Sequence, residues 1–329
     1  MVFGIFNKVC LSQERVSMTQ VLLNTDESVE DKHLADFFRC QGVRCFAAGG
    51  FFWCSVGLRL FTPVPLVQPI QLSTQDLRYM WNQNALFVHF PSEDIENSVP
   101  GYIFLVQDKN YDFGSIESGN RRHNIRRGLK HCTVENIPFQ LLIENGAPLI
   151  QDTYHRQGRN YNDSVLERHR NYLRAAGSNP LFEAWGAFVS NELAAFKVSF
   201  TYRRTVQASM VFSRGDLLKH YPVNALLFVS TQMEIRRDHI SCVSYGMCPV
   251  TGEPESLVNF KESMGFKKVL LRERLEINPL VRPAFRRPLS FVAKAIADPF
   301  CSRSEYARIV SGVINTLRGH TKHVGAGVT

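Results

Sequence analysis

Residues 182–202 read FEAWGAFVSNELAAFKVSFTY, and this stretch decides the fold of the second half of the chain. Two apolar runs flank residues 190–191, which predicts two strands joined by a tight hairpin turn. In the second run, Phe196, Val198 and Phe200 alternate with polar residues, as expected for a strand with one buried face. The stretch therefore predicts two antiparallel neighbours within a β-sheet.

Helices and strands alternate on both sides of this hairpin. Ahead of it, a capping box at residues 164–167 predicts the start of a helix that ends near Ala176. After it, the pattern predicts a strand at Thr205–Phe212, a helix from Pro222, a strand at Ile240–Tyr245, a helix at Glu255–Met264 and a strand at Lys267–Ile277. The second half is therefore expected to run helix, three strands, helix, strand, helix, strand.

The first half repeats this order more weakly. Gly49-Gly50 permits the positive φ values of a tight hairpin between strands at Val43–Ala48 and Phe51–Arg59. Prolines place the next apolar run, residues 64–72, at a sheet edge or in a loop. Further elements are predicted as a helix from Ser73, strands at Ala85–Phe90 and Tyr102–Val106, a helix at Ser115–Lys130 and a strand at Thr133–Ile137. The repeated order predicts a duplicated α/β fold with a mixed sheet, without a residue-level repeat.

The composition is that of a folded, soluble protein. Of the 329 residues, 44% are hydrophobic and 24 are Phe, which is enough for the cores of two domains. The net charge of +8 favours an anionic partner, without choosing between a phosphate ligand, nucleic acid and a membrane surface. The eight cysteines form no CxxC pair, which is typical of reduced thiols in the cytoplasm. The most apolar stretch, residues 45–58, is too short for a membrane-spanning helix, so no transmembrane segment is expected.

The chain changes character after Pro279. Residues 282–288 are rich in proline and arginine and predict a basic linker. Two helices are predicted beyond this linker, near Leu289–Ala297 and Ser304–Leu317. The predicted domains are an N-terminal domain at 1–140, a C-terminal domain at 141–280, and the linker with its helices at 281–329.

Two short motifs accompany this order of elements. Residues 257–266 read LVNFKESMGF, a Phe-Lys pair followed by a Gly-aromatic turn just before the last strand. Residues 120–130 read NRRHNIRRGLK, a helix dense in arginine near the end of the first half. Together with the hairpin they resemble the FemAB-like branch of the GNAT acyltransferase superfamily, over most of residues 40–277. The resemblance implies tandem GNAT-like domains, the first degenerate, and an N-acyltransferase activity.

The resemblance also implies a cleft for an acyl donor in the second domain. In the GNAT arrangement the two central strands part, here Thr205–Phe212 and Ser241–Tyr245, and the donor's amide arm pairs with the first of them. The donor's phosphates lie at the start of the next helix, where free backbone N–H groups attract anions. The residues implied for donor binding are Arg214, Gly215, His220, Tyr221 and Asn224.

The loop at residues 213–221 departs from the family pattern. It has one glycine, whereas acetyl-CoA enzymes of this superfamily carry a glycine-rich loop around the pyrophosphate. FemAB relatives also lack that loop, and many of them use an aminoacyl-tRNA. An acyl-CoA and an aminoacyl ester therefore both stay open as donors, with an amine as the acceptor.

Three residues are candidates for the chemistry. The resemblance implies that Lys261 holds donor phosphate or the charge of the tetrahedral intermediate, and the alternative is a solvated helix lysine. Tyr245 ends a cleft strand, either to protonate a leaving group or as a half-buried strand tyrosine. Glu183 either accepts a proton or faces outward from its strand. The sequence has no Cys/His cluster with zinc spacing, so no metal is expected.

The basic helix offers a second interpretation of the chain. Arg122, Arg126 and Lys130 are i,i+4 neighbours, so one helix face would carry three cations. Such a face fits the phosphates of tRNA, a nucleotide-linked substrate or an anionic lipid, or it is an ordinary solvated face. The alternative function is a non-catalytic GNAT-fold protein that binds an anionic partner through this helix.

Overall fold

The structure, a computed structural model, describes residues 25–64, 69–94, 98–247 and 253–285. The strands are β1 (Cys45–Ala48), β2 (Phe51–Ser55), β3 (Leu60–Val64), β4 (Phe87–Pro91), β5 (Val99–Val106), β6 (Thr133–Ile137), β7 (Phe182–Val189), β8 (Glu192–Tyr202), β9 (Thr205–Ser213), β10 (Cys242–Met247) and β11 (Lys267–Ile277). The helices are α1 (Thr25–Cys40), α2 (Thr74–Asn82), α3 (Gly119–His131), α4 (Phe139–Asn145), α5 (Ala147–Arg156), α6 (Asp163–Gly177), α7 (Pro222–Ile235) and α8 (Glu255–Ser263). The described helices and strands confirm the predicted mixed α/β class.

The eleven strands of the described residues belong to one sheet, in the order β1-β2-β3-β4-β11-β5-β10-β9-β8-β7-β6. Its neighbours pair antiparallel except at two places, β3 with β4 and β9 with β10. A helix crosses between the strands of each parallel pair, α2 in the first case and α7 in the second. The units β1-β2-β3-α2-β4 and β7-β8-β9-α7-β10 therefore have the same topology, which confirms the predicted duplication.

Helices cover both faces of the sheet. Leu34 of α1 and Tyr172 of α6 share one core with Phe196 of β8. Ile125 of α3 and Leu227 of α7 belong to a second core on the opposite face, which we call the α7 face. The alternation in β8 follows from this layering, since its phenylalanines face α6 while Lys197 and Ser199 face α7.

The two halves interleave in the sheet. Strand β11, from the end of the described chain, lies between β4 and β5 and pairs antiparallel with both. The predicted boundary at residues 140/141 lies within α4, and the division into domains stays a prediction. The basic linker from residue 286 and the two C-terminal helices predicted beyond it lie outside the described residues.

Several sequence-based boundaries were wrong. The strand predicted at 51–59 ends at Ser55 as β2. A separate strand, β3, follows at Leu60–Val64, and it is an interior strand although it contains Pro63. A proline is tolerated there because the last β3–β4 pair, Phe61 with Val88, comes before it. Helix α6 starts at Asp163 with Asn162 as its N-cap, so the capping box at residues 164–167 was wrong. Helices α1, α4 and α5 were not predicted.

Other signals were confirmed. Gly49 and Gly50 have φ of 58° and 76°, as the tight turn between β1 and β2 requires. Ser73 caps α2 in a capping box with Asp76. No helix in the described parts of the chain is long and apolar enough to cross a membrane.

Candidate functional site

Strands β9 and β10 part after three paired residues. The pairs are Thr205 with Cys242, Val206 with Val243, and Gln207 with Ser244. Strand β9 continues to Ser213, yet in the described ladder it pairs beyond this point only with β8. We call the gap beyond Gln207 and Ser244 the fork. The fork confirms the parting of the two strands that the resemblance implied.

Both strands carry a bulge where the fork opens. In β9, Ser209 is the extra residue, since Ala208 pairs with Ser199 and Met210 with Val198. A similar irregularity against β5 leaves Tyr245 as the extra residue of β10. Bulges of this kind turn side chains out of the regular alternation and are common beside active sites. The two bulges therefore redirect side chains on either side of the fork.

Gln207 lies at the apex of the fork and is only 1% exposed. Its side-chain Nε2 donates to the carbonyl of Ala208, the first residue beyond the last pair, at 2.9 Å. Its Oε1 is buried and has no hydrogen-bond partner among the described residues. An unpaired buried acceptor costs about 1–3 kcal/mol, so this oxygen is a natural contact for a ligand N–H. Gln207 was not among the predicted site residues, although a glutamine between apolar neighbours in a predicted strand was a signal.

Lys261 of α8 lies over β5 and β10, next to the residue of β10 at which the fork opens. Its side chain is 3% exposed, and its Nζ donates to Glu253 Oε1 at 2.5 Å. The same Nζ lies 4.9 Å from the ring centre of Phe104 and 5.1 Å from that of Tyr245. Lys261 is therefore not a solvated helix lysine. Glu253, the residue that pairs with Lys261, was not among the predicted site residues.

Tyr245 packs between α8 and the start of β11. Its ring meets Phe266 edge-to-face with centroids 5.4 Å apart. Burial raises the pKa of Tyr245, and the charge of Glu253 raises it further. The phenol therefore stays protonated at neutral pH and is available as a hydrogen-bond donor.

Glu183 does not reach the fork. It lies on β7, and strands β8 and β9 separate it from β10. Arg237 engages both of its carboxylate oxygens, at 2.9 and 2.6 Å. The structure therefore gives Glu183 a partner away from the fork, and the prediction of Glu183 as a catalytic residue is not supported by its position.

The five residues predicted for donor binding divide into two groups. Arg214 forms ion pairs with Glu192 and Asp216, and the Gly215 N–H donates to Asp152. These contacts tie the beginning of the loop to β8 and α5. The second group, His220, Tyr221 and Asn224, lies at the start of α7. Helix α3 contacts each of these three residues.

Helix α3 packs across this helix start. A Cβ on Gly128 would lie 2.8 Å from the carbonyl oxygen of Tyr221, so the glycine allows the close approach. Arg121 donates to Asn224 of α7 and to Ser263 of α8. The basic helix thus forms part of the α7 face beside the fork, rather than a separate surface.

The three cations predicted on one face of α3 have different surroundings. Arg122 is half-buried and donates to the carbonyl of Ile116 at 2.7 Å. Arg126 is exposed, with its guanidinium over the ring of Phe113, and Lys130 is exposed. The three cations therefore differ in exposure, and Arg126 and Lys130 present more of their charge to solvent than Arg122 does.

The described residues contain no group of three or more His, Cys, Asp or Glu side chains able to hold a metal ion. The site is instead made of main-chain edges, one buried ion pair, a protonated phenol and an unpaired amide oxygen. Two parallel strands that are bridged by a helix and then part, present twice in one sheet, define the tandem GNAT fold.

Comparison with solved structures agrees with this fold. The chain is similar to the crystal structure of FemX, with a TM-score of 0.54 and 10% identity over 78% of this chain and 97% of that one. It is also similar to L-PGS from Bacillus licheniformis, with a TM-score of 0.50 and 14% identity over 75% of this chain and 91% of that one. By sequence, the chain matches no protein-family model and no curated protein. The chain therefore shares the fold of these two structures, in agreement with the tandem GNAT fold that the motifs indicated.

Proposed function

We propose that this protein is an N-acyltransferase that moves an acyl or aminoacyl group from a thioester or ester donor to an amine. The observation that carries the proposal is the fork, where β9 and β10 part after Gln207 and Ser244. Parted strands expose main-chain N–H and C=O groups, which are strong hydrogen-bonding groups that need partners. An extended amide-bearing donor satisfies them as an added strand would.

The start of α7 provides the place for the donor's phosphates. Free N–H groups at a helix start attract anions, and His220 and Tyr221 lie directly before this helix. Exposed cations lie close by: Arg126, Arg127 and Lys130 on α3, and Lys219 in the short 3₁₀ turn that α3 contacts. We call these four residues the basic surface. The same charges suit a coenzyme A and a tRNA, so both donor classes remain within the proposal.

Lys261 and Tyr245 are assigned to the chemistry in this proposal. The ammonium of Lys261 is shielded from water, with its side chain only 3% exposed. In such surroundings it stabilises the negative charge of a tetrahedral intermediate more strongly than it would in water. The protonated phenol of Tyr245 donates a hydrogen bond to the leaving group. Glu183, held by Arg237, has no role in this mechanism.

A transfer assay tests the proposal. The protein is incubated with n-butylamine and either acetyl-CoA or a mixture of aminoacyl-tRNAs, and the amide product is measured by mass spectrometry. We expect amide from at least one donor and a loss of about 100-fold in rate for Lys261→Met, as for removal of one oxyanion donor. Lys267→Met, an exposed lysine on β11, is the matched control. Absence of amide with both donors would contradict the proposal for these donor classes.

The alternative, a non-catalytic protein that binds an anionic partner, rests on the exposed charges of the basic surface. It predicts salt-sensitive binding of bulk tRNA or anionic vesicles that Lys261→Met leaves unchanged. The double variant Arg126→Ala, Lys130→Ala would weaken that binding, because both side chains are exposed and their removal leaves the core intact. Binding of this kind without any amide product favours the alternative.

A further inference from the structure

Glu253 is a buried carboxylate with one free oxygen beside the fork. Its side chain is 5% exposed, and Oε1 accepts the hydrogen bond from Lys261 at 2.5 Å. Oε2 is buried as well, and no described residue donates a hydrogen bond to it. Leaving a buried carboxylate oxygen without a donor is unfavourable, because a charge taken out of water needs hydrogen bonds as well as a counter-ion. The free oxygen therefore calls for a ligand that brings an N–H group.

The position of Glu253 relates this oxygen to the fork. Its partner Lys261 lies against Tyr245, the bulged residue that directly follows the last β9–β10 pair. The apolar neighbours Phe104 and Tyr245 keep water away from the pair. Glu183, the carboxylate that the sequence suggested, is bound through both oxygens by Arg237 behind two further strands. Of these two carboxylates, Glu253 alone has an oxygen available to a substrate at the fork.

We propose that Glu253 is the catalytic residue that binds the acceptor amine and takes its proton, an inference that rests on the proposed acyl transfer. The neutral amine donates an N–H to Oε2 and attacks the carbonyl carbon of the donor. A C–N bond forms, and the C–S bond of a thioester or the C–O bond of an ester breaks. The proton passes from nitrogen to Oε2 and then to the leaving sulfur or oxygen, so the carboxylate is restored and no further reactant is consumed.

Lys261 has a second effect in this arrangement. Its ammonium donates a hydrogen bond to Oε1 and so fixes the orientation of the carboxylate. The position of Oε2 is fixed as a consequence. The pair therefore supplies a charge stabiliser and a proton acceptor in one unit. This explains why a lysine inside a helix is buried with a glutamate eight residues earlier instead of extending into solvent.

The first test is the substitution Glu253→Gln, with Glu255→Gln as the matched control. Glutamine keeps an oxygen for Lys261 but accepts no proton, whereas Glu255 is exposed in the first turn of α8. We expect kcat for acyl transfer to n-butylamine to fall about 100-fold in Glu253→Gln, with the KM for the donor unchanged. The control keeps the wild-type kcat. A kcat within threefold of wild type in Glu253→Gln overturns the assignment.

Chemical rescue separates a proton acceptor from a structural residue. In Glu253→Ala, formate is expected to restore transfer with saturation, because it returns a carboxylate to the vacated space. Formamide has a similar shape without a carboxylate and is expected to restore nothing. Equal rescue by both compounds, or by neither, overturns the proposal.

A binding measurement covers the case in which the proposed function fails. The ¹³Cδ resonance of Glu253, assigned by its loss in Glu253→Gln, is followed during titration with n-butylamine. A shift of this resonance without any amide product supports Glu253 as the amine-binding site and contradicts acyl transfer from these donors. Amide product with no movement overturns Glu253 as the acceptor site and leaves the transferase intact. No movement and no product overturn both.

Discussion

Buried polar residues account for much of the residue-scale behaviour of this protein. On the α7 face, Lys197 bonds both oxygens of Glu234, and the two side chains are 1% and 0% exposed. Ser199 and Ser230 add hydrogen bonds to this pair. A buried ion pair of this kind contributes little net stability, but losing one partner leaves an uncompensated charge. The pair fixes how α7 lies on β8, and α7 in turn positions one side of the fork.

His169 predicts a measurable pH dependence of stability. Burial lowers the pKa of His169 from 6.5 to about 4, and its Nε2 shares a hydrogen bond of 3.1 Å with the hydroxyl of Tyr154. The unfolded chain takes up this proton near pH 6.5 and the folded chain only near pH 4, so stability is lost as the pH falls between these values. We expect a loss of about 3 kcal/mol in the free energy of unfolding, from about 1.36 kcal/mol per pKa unit.

Urea unfolding at pH 7.0 and 4.5 measures most of this loss, about 2 kcal/mol, because the folded chain is still only partly protonated at pH 4.5. His169→Gln has no titrating group at the position and is expected to lose less stability over the same range. Equal losses in the two proteins would show that other groups are responsible.

The sequence indicated candidate residues that lie in a motif or at a strand end, and it missed those that depend on the tertiary structure. Lys261 was predicted from its motif and Tyr245 from its place at the end of a strand, and the structure puts the two side chains in contact beside the fork. Glu253 was missed because its partner is eight residues away, and no local pattern indicates that both side chains are buried together. The pairing of Glu183 with Arg237 was also not visible, because an alternating strand does not reveal which cation will meet its carboxylate.

At the scale of elements, turn and cap signals were reliable and several helices were not found. Helix α1 had a signal, since Leu34, Phe37 and Phe38 have the i,i+3,i+4 spacing of a buried helix face and all are buried. Helices α4 and α5 meet at Gly146, which breaks the pattern into pieces too short to recognise. These helices cover the face of the sheet opposite α7. Because they were not predicted, the sequence-based fold lacked most of the helical layer on that face.

Two glycines of α3 test its contact with α7. A Cβ on Gly128 would meet backbone at 2.8 Å, whereas a Cβ on Gly119 would have 3.9 Å of space to its nearest neighbour. We expect Gly128→Ala to lower the free energy of unfolding by about 1–3 kcal/mol through overpacking. Gly119→Ala is expected to be neutral or to stabilise by up to about 1 kcal/mol, since alanine favours the helix. Similar effects of the two substitutions, measured by urea unfolding, would contradict the close packing of α3 on α7.

On the scale of the whole molecule, one sheet unites two copies of the same topology. Each parallel pair is short, two residues between β3 and β4 and three between β9 and β10. Strand β11 completes the first half from the end of the second, between β4 and β5. The repeat of element order was visible in the sequence. The position of β11 in the first half was not visible, because the sequence of β11 does not indicate which strands it will pair with.

The interleaved sheet predicts a single unfolding transition. Trp53 is buried in the first half and Trp185 in the second, so each reports on one unit. Variants that keep only one of them, with the other two tryptophans replaced by phenylalanine, are expected to give coincident urea midpoints by fluorescence. Midpoints that differ by more than the experimental error would mean that the halves unfold separately.

The central claim is that the edge of β9 beyond Gln207 is open and receives the acyl donor. Residue-resolved amide hydrogen exchange, with and without the donor that supports transfer, tests it most directly. We expect the amides of Ala208–Phe212 that do not pair with β8 to exchange rapidly in the free protein and to become protected on donor binding. Uniform protection of β9 in the free protein, or donor-induced protection away from the fork, would contradict the claim.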